Sequence, residues 1–474
     1  MTHVKQTAQC LLNLEDAHGV PPCIRIGGTT QDRAVYDPKQ TQPVSYTLPP
    51  GKQVPEKLSF GPRFIDLASQ LKGPTTIGLN RRSGDQENVG LAALNAVQQM
   101  KNLYAIELGN EPEYWGRSSP EAQEKQWTPE ADARSQIRWQ KAISARVNAQ
   151  RLFQAGVFLS RPRWSVKRLA PLEVGQSSIV YTKSFGGTTT LYVVVVGRCL
   201  AARLISSDIF VFPGGHAYPQ SACGKAKTSL PMLMAHSNIV GFVKGFESEV
   251  RAANKAQRPY HFSETNSATC GGGGISATFG AALWLIDYVF QSLILGVHRL
   301  YFHQGTINHS PYNFWNETQV APPYYGAYFT ALALRGADYI GMMNTPDAKV
   351  AVYTLWKSQK LVRLVVYNSK FQDAHAIKES ESSPDILTID RLPAAVSGAR
   401  LLRLTAKHSL VPAGGPQPGL VQIGGAFFDN NTCRISAPPT YQPVALKEGR
   451  LELKIHKSEA VIIELDSSKP IDSR

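Results

Sequence analysis

Repeated strand–loop–helix units over roughly the first 300 residues, polar residues closing several of those strands, and a change to alternating β-branched segments from about Gly341 predict an α/β fold. That fold is a (β/α)8 TIM barrel followed by a C-terminal antiparallel β-sandwich. The chain opens on the helical pattern KQTAQCLLNLEDA, which runs directly into the strand-like CIRIGG at 23–28. A strand is expected before that helix, so the barrel reads as lacking its first strand and the chain as truncated at its N-terminus. Two sheet edges would then lie unpaired. Further short apolar runs ended by Gly, Asn, Pro or a carboxylate follow: TTIGLN (75–80), LYAIELGNEP (103–112), AGVFLS (155–160), GHAYPQ (215–220), YHFSETNS (260–267) and RLYFHQG (299–305). Helical spacing separates them at 90–100, 134–153, 237–257 and 279–296. Parallel strands require such crossovers. A doubly wound sheet is the alternative, but no GxGxxG follows a strand.

From Gly341 onward KVAVYTLW, LVRLVVYN, PDILTIDRL, ARLLRLTA, RLELKI and AVIIEL alternate with turn-rich linkers and no long helix. The expected division is a barrel over 1–340 and a sandwich over 341–474, with the junction at 335–348. An atypical insertion is expected at about 166–207; its central part, 174–206, matches neither helical nor strand periodicity.

A chain of 474 residues that is 43% hydrophobic and 18% charged can bury a large core, which excludes disorder and coiled coil. The uncharged apolar stretch 191–197 ends at Arg198, far short of the ~20 residues that cross a bilayer, and no membrane insertion is expected. The first residues lack the pattern of a charged start and apolar block, so no signal peptide is expected in them. Fifty basic against 36 acidic residues give a net charge of +14. Residues 161–207 hold seven basic residues against the single acid Glu173, a local excess of six. No zinc-finger, RNP-like or basic-heptad pattern accompanies it, so no nucleic-acid partner is expected. The six cysteines form no CxxC, which argues against a metal cluster.

The strongest chemical signal is Asn110-Glu111-Pro112, closing the apolar strand YAIELG. A carboxylate at a buried strand end loses solvation, which suits it to general acid work. Glu264 in HFSETNSATCGGGG ends a second strand, ahead of a glycine run. The two lie 153 residues apart, about three βα units, so both would face one barrel mouth. Paired carboxylates about 5–5.5 Å apart perform retaining glycoside hydrolysis. Among secondary candidates, Arg25 in CIRIGG needs a carboxylate partner, either Glu264 or Asp32. His216 lines the site or is a satisfied core histidine. Tyr324, Tyr325 and Gln304 could donate to a substrate carboxylate, and aromatic core packing is the alternative for the tyrosines.

The segments RIGGTTQDRAVYDP, ELGNEPEYW, HAYPQSAC, HFSETNSATCGGGGISATFGAALWLIDYV, LYFHQGT and APPYYGAYF resemble glycoside hydrolase family 79, the β-glucuronidase and heparanase-like group, especially its fungal members. The resemblance runs from about Val20 to Glu464 with a gap over roughly 166–207. It implies a clan-A barrel with a β-sandwich and a retaining mechanism, Glu111 as acid/base and Glu264 as nucleophile. By the same match Asn110 binds the sugar 2-hydroxyl and Tyr218 hydrogen-bonds the nucleophile. The implied activity is an exo-acting β-glucuronidase releasing terminal glucuronic acid or its 4-O-methyl form, with no cofactor and no metal. A β-glucosidase or β-xylosidase of a neighbouring clan-A family, or a silent carbohydrate-binding relative, is the alternative. The secreted character of the family implies a disulfide between Cys223 and Cys270 and glycans at Asn316 and Asn430.

Overall fold

The computed structural model describes residues 4–51, 54–116, 119–123, 127–149, 152–165, 192–193, 196–197, 211–305, 310–343, 349–374, 383–390, 392–412 and 420–467. Seven strands, β1 Ile24–Ile26, β2 Thr75–Leu79, β3 Leu103–Leu108, β4 Phe153–Phe158, β5 Val211–Ala217, β6 Tyr260–Thr265 and β7 Val297–Phe302, pair in that order. Every one of these pairings is parallel. Strands β4 and β6 are buried at each residue, because the barrel interior covers one face and helices the other.

The eighth position corrects the expectation of a simple gap. Beside β7, the two-residue strand Tyr192–Val193 pairs in parallel with Arg299 and Leu300, and turns back antiparallel onto Val196–Gly197. Part of the aperiodic segment is therefore sheet; two-residue strands are too short to display a period of two. The rest of the expected insertion at 166–207 lies outside the described residues, apart from these four positions. Among the described residues, β1 has a strand partner only in β2.

Helices α1 Gln6–His18, α2 Gln86–Gln99, α3 Pro129–Val147, α4 Phe279–Leu295 and α5 Pro322–Leu334 flank the sheet. Asp85, Thr128 and Thr278 cap α2, α3 and α4 by accepting the backbone N–H three residues on. The helical pattern at 237–257 is two helices, His236–Lys244 and Glu247–Lys255, interrupted at Gly245. A side sheet of Ala34–Tyr36, Val44–Thr47 and Lys57–Phe60, which sequence patterning did not indicate, follows β1.

The C-terminal sheet contains β8 Tyr339–Met343, β9 Val350–Lys357, β10 Lys360–Asn368, β11 Val396–Ala406 and β12 Glu459–Ser467 in the order β8-β9-β10-β12-β11, all antiparallel. Alternation along β9 explains its apolar character on both faces. Val350 and Val352 pack with Leu451, Leu453 and Ile455 of an antiparallel ribbon, completing the sandwich. Ala351, Tyr353 and Leu355 join the core built from α4 and α5 of the barrel. Among the described residues two disulfides add covalent ties: Cys223–Cys270 links the segments after β5 and β6, and Cys10–Cys433 ties α1 to the C-terminal region.

Candidate active site

Glu264 is the penultimate residue of β6, and its register partner on β5 is His216. Parallel pairing therefore sets the acid beside the imidazole. Glu111 arrives from β3 through a tight turn in which Gly109 has φ 83° and Glu111 itself φ 43°. Left-handed backbone is costly for a residue with a Cβ, and it places the Glu111 carboxyl against the same imidazole. His216 Nδ1 lies 2.8 Å from Glu111 Oε1 and 4.0 Å from Glu264 Oε1. One oxygen from each glutamate and the His216 nitrogen fall within 4.8 Å of one another.

The two carboxyls differ in surroundings. Glu264 is 7% exposed; Arg25 Nη1 donates to its Oε2 at 2.8 Å and the Tyr218 hydroxyl to its Oε1 at 2.7 Å. His303 Nδ1 stands 3.6 Å from Oε2. Burial alone would raise its pKa, but His303, His216, Arg25 and the Tyr218 hydroxyl outweigh this and hold Glu264 well below the usual carboxylate range. Glu111 keeps 19% of its side chain exposed and hydrogen-bonds His216. Burial opposes the charge on His216, yet Glu264 and Glu111 raise its pKa. Burial and the neighbouring Glu264 raise the Tyr218 phenol well above its ordinary value, so it remains a donor.

Arg25 is held twice. Its Nε donates to Glu107 Oε2 at 2.6 Å, and Nη2 donates to Asn110 Oδ1 at 3.2 Å. Gln154 Nε2 binds the other Glu107 oxygen at 2.5 Å. Burial disfavours the guanidinium, but Glu107 and Glu264 keep it charged. Of the two partners expected for Arg25, Glu264 is used and Asp32 is not. Asp32 instead accepts from the Asn110 backbone N–H and the Trp115 indole.

Asn110, Tyr218, His216, Arg25, Glu111 and Glu264 thus converge. Gln304 lines the adjoining cavity of about 230 Å3 with Arg25, Glu264 and His303, while Leu14, Ile24, Phe314 and Trp315 form its apolar end. The structure corrects the placement of both tyrosines. Tyr324 is fully buried on α5, its hydroxyl donating to Cys10 O and accepting from Asn13, and Tyr325 accepts from Phe428 N–H. They pack α5 against α1 and the C-terminal region, because the APPYYGAY segment forms the buried first turns of a helix rather than a loop at the barrel mouth. Sequence reading missed Glu107 and His303. An acid inside an apolar strand needs a partner, and that signal was available for Glu107; His303 showed no more than its position after a strand.

Glu111, His216 and Glu264 offer three donors that could in principle meet a cation. The Arg25 guanidinium already places positive charge against Glu264, which opposes one. The arrangement instead offers an ionised carboxylate fixed by two donors, and a second carboxyl opposite it.

Residues 352–462 match the glycosyl hydrolase family 79 C-terminal β domain. The chain is 29% identical to a β-glucuronidase of Aspergillus niger, over 96% of this chain and 86% of that protein. A solved structure of a 4-O-α-L-rhamnosyl-β-D-glucuronidase from Fusarium oxysporum 12S matches with TM-score 0.85 and 36% identity, covering 98% of this chain and 92% of that one. An α-L-arabinofuranosidase from Thermotoga maritima shares the fold at TM-score 0.59 and 12% identity, covering 96% and 89% of the two chains.

Proposed function

This chain belongs to glycoside hydrolase family 79 and is a glycosidase, and from that premise we propose that it releases β-linked glucuronic acid, plain or 4-O-substituted, by double displacement at Glu264 and Glu111. The observation that carries the reading is the carboxylate pair, whose oxygens lie within 4.8 Å, close to the separation of about 5 Å that retaining enzymes use. Glu264, kept ionised, attacks the anomeric carbon while Glu111 gives its proton to the departing glycosidic oxygen. A covalent glycosyl-enzyme forms. Glu111 then takes a proton from water, whose oxygen attacks the anomeric carbon and frees Glu264.

Around this exchange Tyr218 and Arg25 orient the nucleophile. Asn110 accepts from Arg25 through its Oδ1, which leaves its amide N–H groups for the sugar 2-hydroxyl. Gln304 lines the cavity, suited to a polar substituent of the ring. The proposal extends to secretion, with glycans at Asn316 and Asn430. Each of these side chains accepts a backbone N–H through Oδ1, a bond that a glycan on Nδ2 preserves.

Initial rates on 4-nitrophenyl β-glucuronide, its 4-O-methyl form, the β-glucoside and the β-xyloside test the reading. Glucuronide turnover with β-glucuronic acid as the first product by NMR is expected. Preference for the glucoside or xyloside, or an α-anomer as first product, would overturn it.

A further inference from the structure

We infer that Asp32 is a positioning residue for the acid/base, clamping the left-handed turn that presents Glu111; this rests on the reading of Glu111 given above. Asp32 Oδ1 accepts from the Asn110 backbone N–H at 3.0 Å, and Oδ2 accepts from the Trp115 indole N–H at 2.8 Å. The same indole N–H reaches Asn110 O at 3.0 Å. The carboxylate therefore bridges the residue before Glu111 and a residue four positions after it, closing a ring around the turn.

The turn needs such a clamp. Glu111 has φ 43° and ψ 59°, which a side-chain-bearing residue leaves readily when freed. Its remaining backbone ties are N–H to Val157 O at 3.1 Å and its carbonyl accepting from Tyr114 N–H at 3.0 Å. Trp115 can approach because Gly109 carries no side chain; a Cβ there would stand 2.4 Å from the indole ring. Arg81 caps one face of the indole at 4.6 Å, and Trp127 stacks at 6.0 Å between ring centroids. The indole is thus a fixed post, and Asp32 joins the turn to it. Asp32 spends its two oxygens on Asn110 and Trp115 and makes no hydrogen bond to Arg25 or Glu264, so its effect should fall on the proton donor rather than on the nucleophile.

That separation sets the test. A misplaced acid slows substrates whose leaving group needs a proton and spares those that do not. Asp32→Ala is expected to lower kcat/KM on phenyl β-glucuronide by about 10- to 100-fold and on 2,4-dinitrophenyl β-glucuronide by less than about threefold. Asp32→Asn keeps the shape but turns an N–H toward the indole N–H or the Asn110 N–H, and is expected to show the same selectivity if the alanine variant folds poorly. Glu111→Ala run alongside separates the two claims. If Glu111→Ala shows the leaving-group selectivity while the Asp32 variants lose both substrates equally or neither, the inference about Asp32 is overturned. If Glu111→Ala shows no selectivity, the assignment of Glu111 fails and the inference falls with it.

Discussion

Removing the nucleophile and removing the acid have different consequences, because only the first step needs an acid. Glu264→Ala should abolish nearly all turnover, whereas Glu111→Ala should retain some activity on substrates with good leaving groups, with its second step slowed by loss of the base. Added azide distinguishes them: it should give a β-glycosyl azide with Glu111→Ala and an α-azide with Glu264→Ala. Wild-type rates from Glu264→Ala would end the assignment. Arg25 makes a second prediction at this scale. Its guanidinium separates Glu107 from Glu264 and is 5% exposed, so Arg25→Ala leaves two buried carboxylates facing each other. Losing one partner of a buried pair costs about 3–5 kcal/mol. Arg25 also helps to hold the Glu264 pKa down, so the substitution should raise it and move the acidic limb of kcat/KM to higher pH. An unmoved limb would mean that Arg25 does not set the charge of Glu264. His303, unmarked in the sequence, stands 3.6 Å from the same carboxylate because β7 ends level with β6.

At the scale of elements, α4 is buried along nearly its whole length and must satisfy its polar groups internally. Asp287 on α4 accepts from the Tyr353 hydroxyl of β9 and lies 2.9 Å from His236 Nδ1, while Gln291 donates to the same tyrosine at 2.7 Å. One buried network thereby joins barrel helix, neighbouring helix and sandwich strand. Burial disfavours charge on His236, but its bond to Asp287 and that residue's charge raise the pKa. A raised folded-state pKa means stability present in full below the ordinary histidine value of about 6.5 and lost as pH rises through the raised one. The melting temperature should therefore fall between pH 6 and pH 9 by more in the wild type than in His236→Gln. Equal slopes would show that the pair carries no pH-linked stability. The spacing of apolar residues located α4, but the polar partners come from β9 and from the helix His236–Lys244, too distant in sequence for any local pattern to pair them.

For the whole molecule, Cys10–Cys433 spans 423 positions and connects the first described helix to the C-terminal region. Constraint of the unfolded chain by so long a loop is about 6 kcal/mol in the chain-entropy model. Cys10→Ser with Cys433→Ser should lower the melting temperature clearly, and an unchanged value would show that packing of α1 against α5 suffices. The same junction took Tyr324 and Tyr325 away from the barrel mouth: both hydroxyls serve contacts around α5, with α1 and with Phe428.

Local patterns alone determined much of this protein. Apolar runs with polar ends located the barrel strands, alternation located the sandwich, and Asn110-Glu111-Pro112 and Glu264 stood out because acids at buried strand ends are costly unless used. What those patterns could not settle was pairing across long separations. Only the tertiary structure decided that Arg25 bridges Glu107 and Glu264, that Asp32 turns instead to Trp115 and Asn110, and that Tyr192–Val193 takes the place beside β7. The physical reason is common to all three. A residue's neighbours along the chain set its backbone preference, but the partner that satisfies a buried charge or an open strand edge is whichever group the folded barrel brings within about 3 Å.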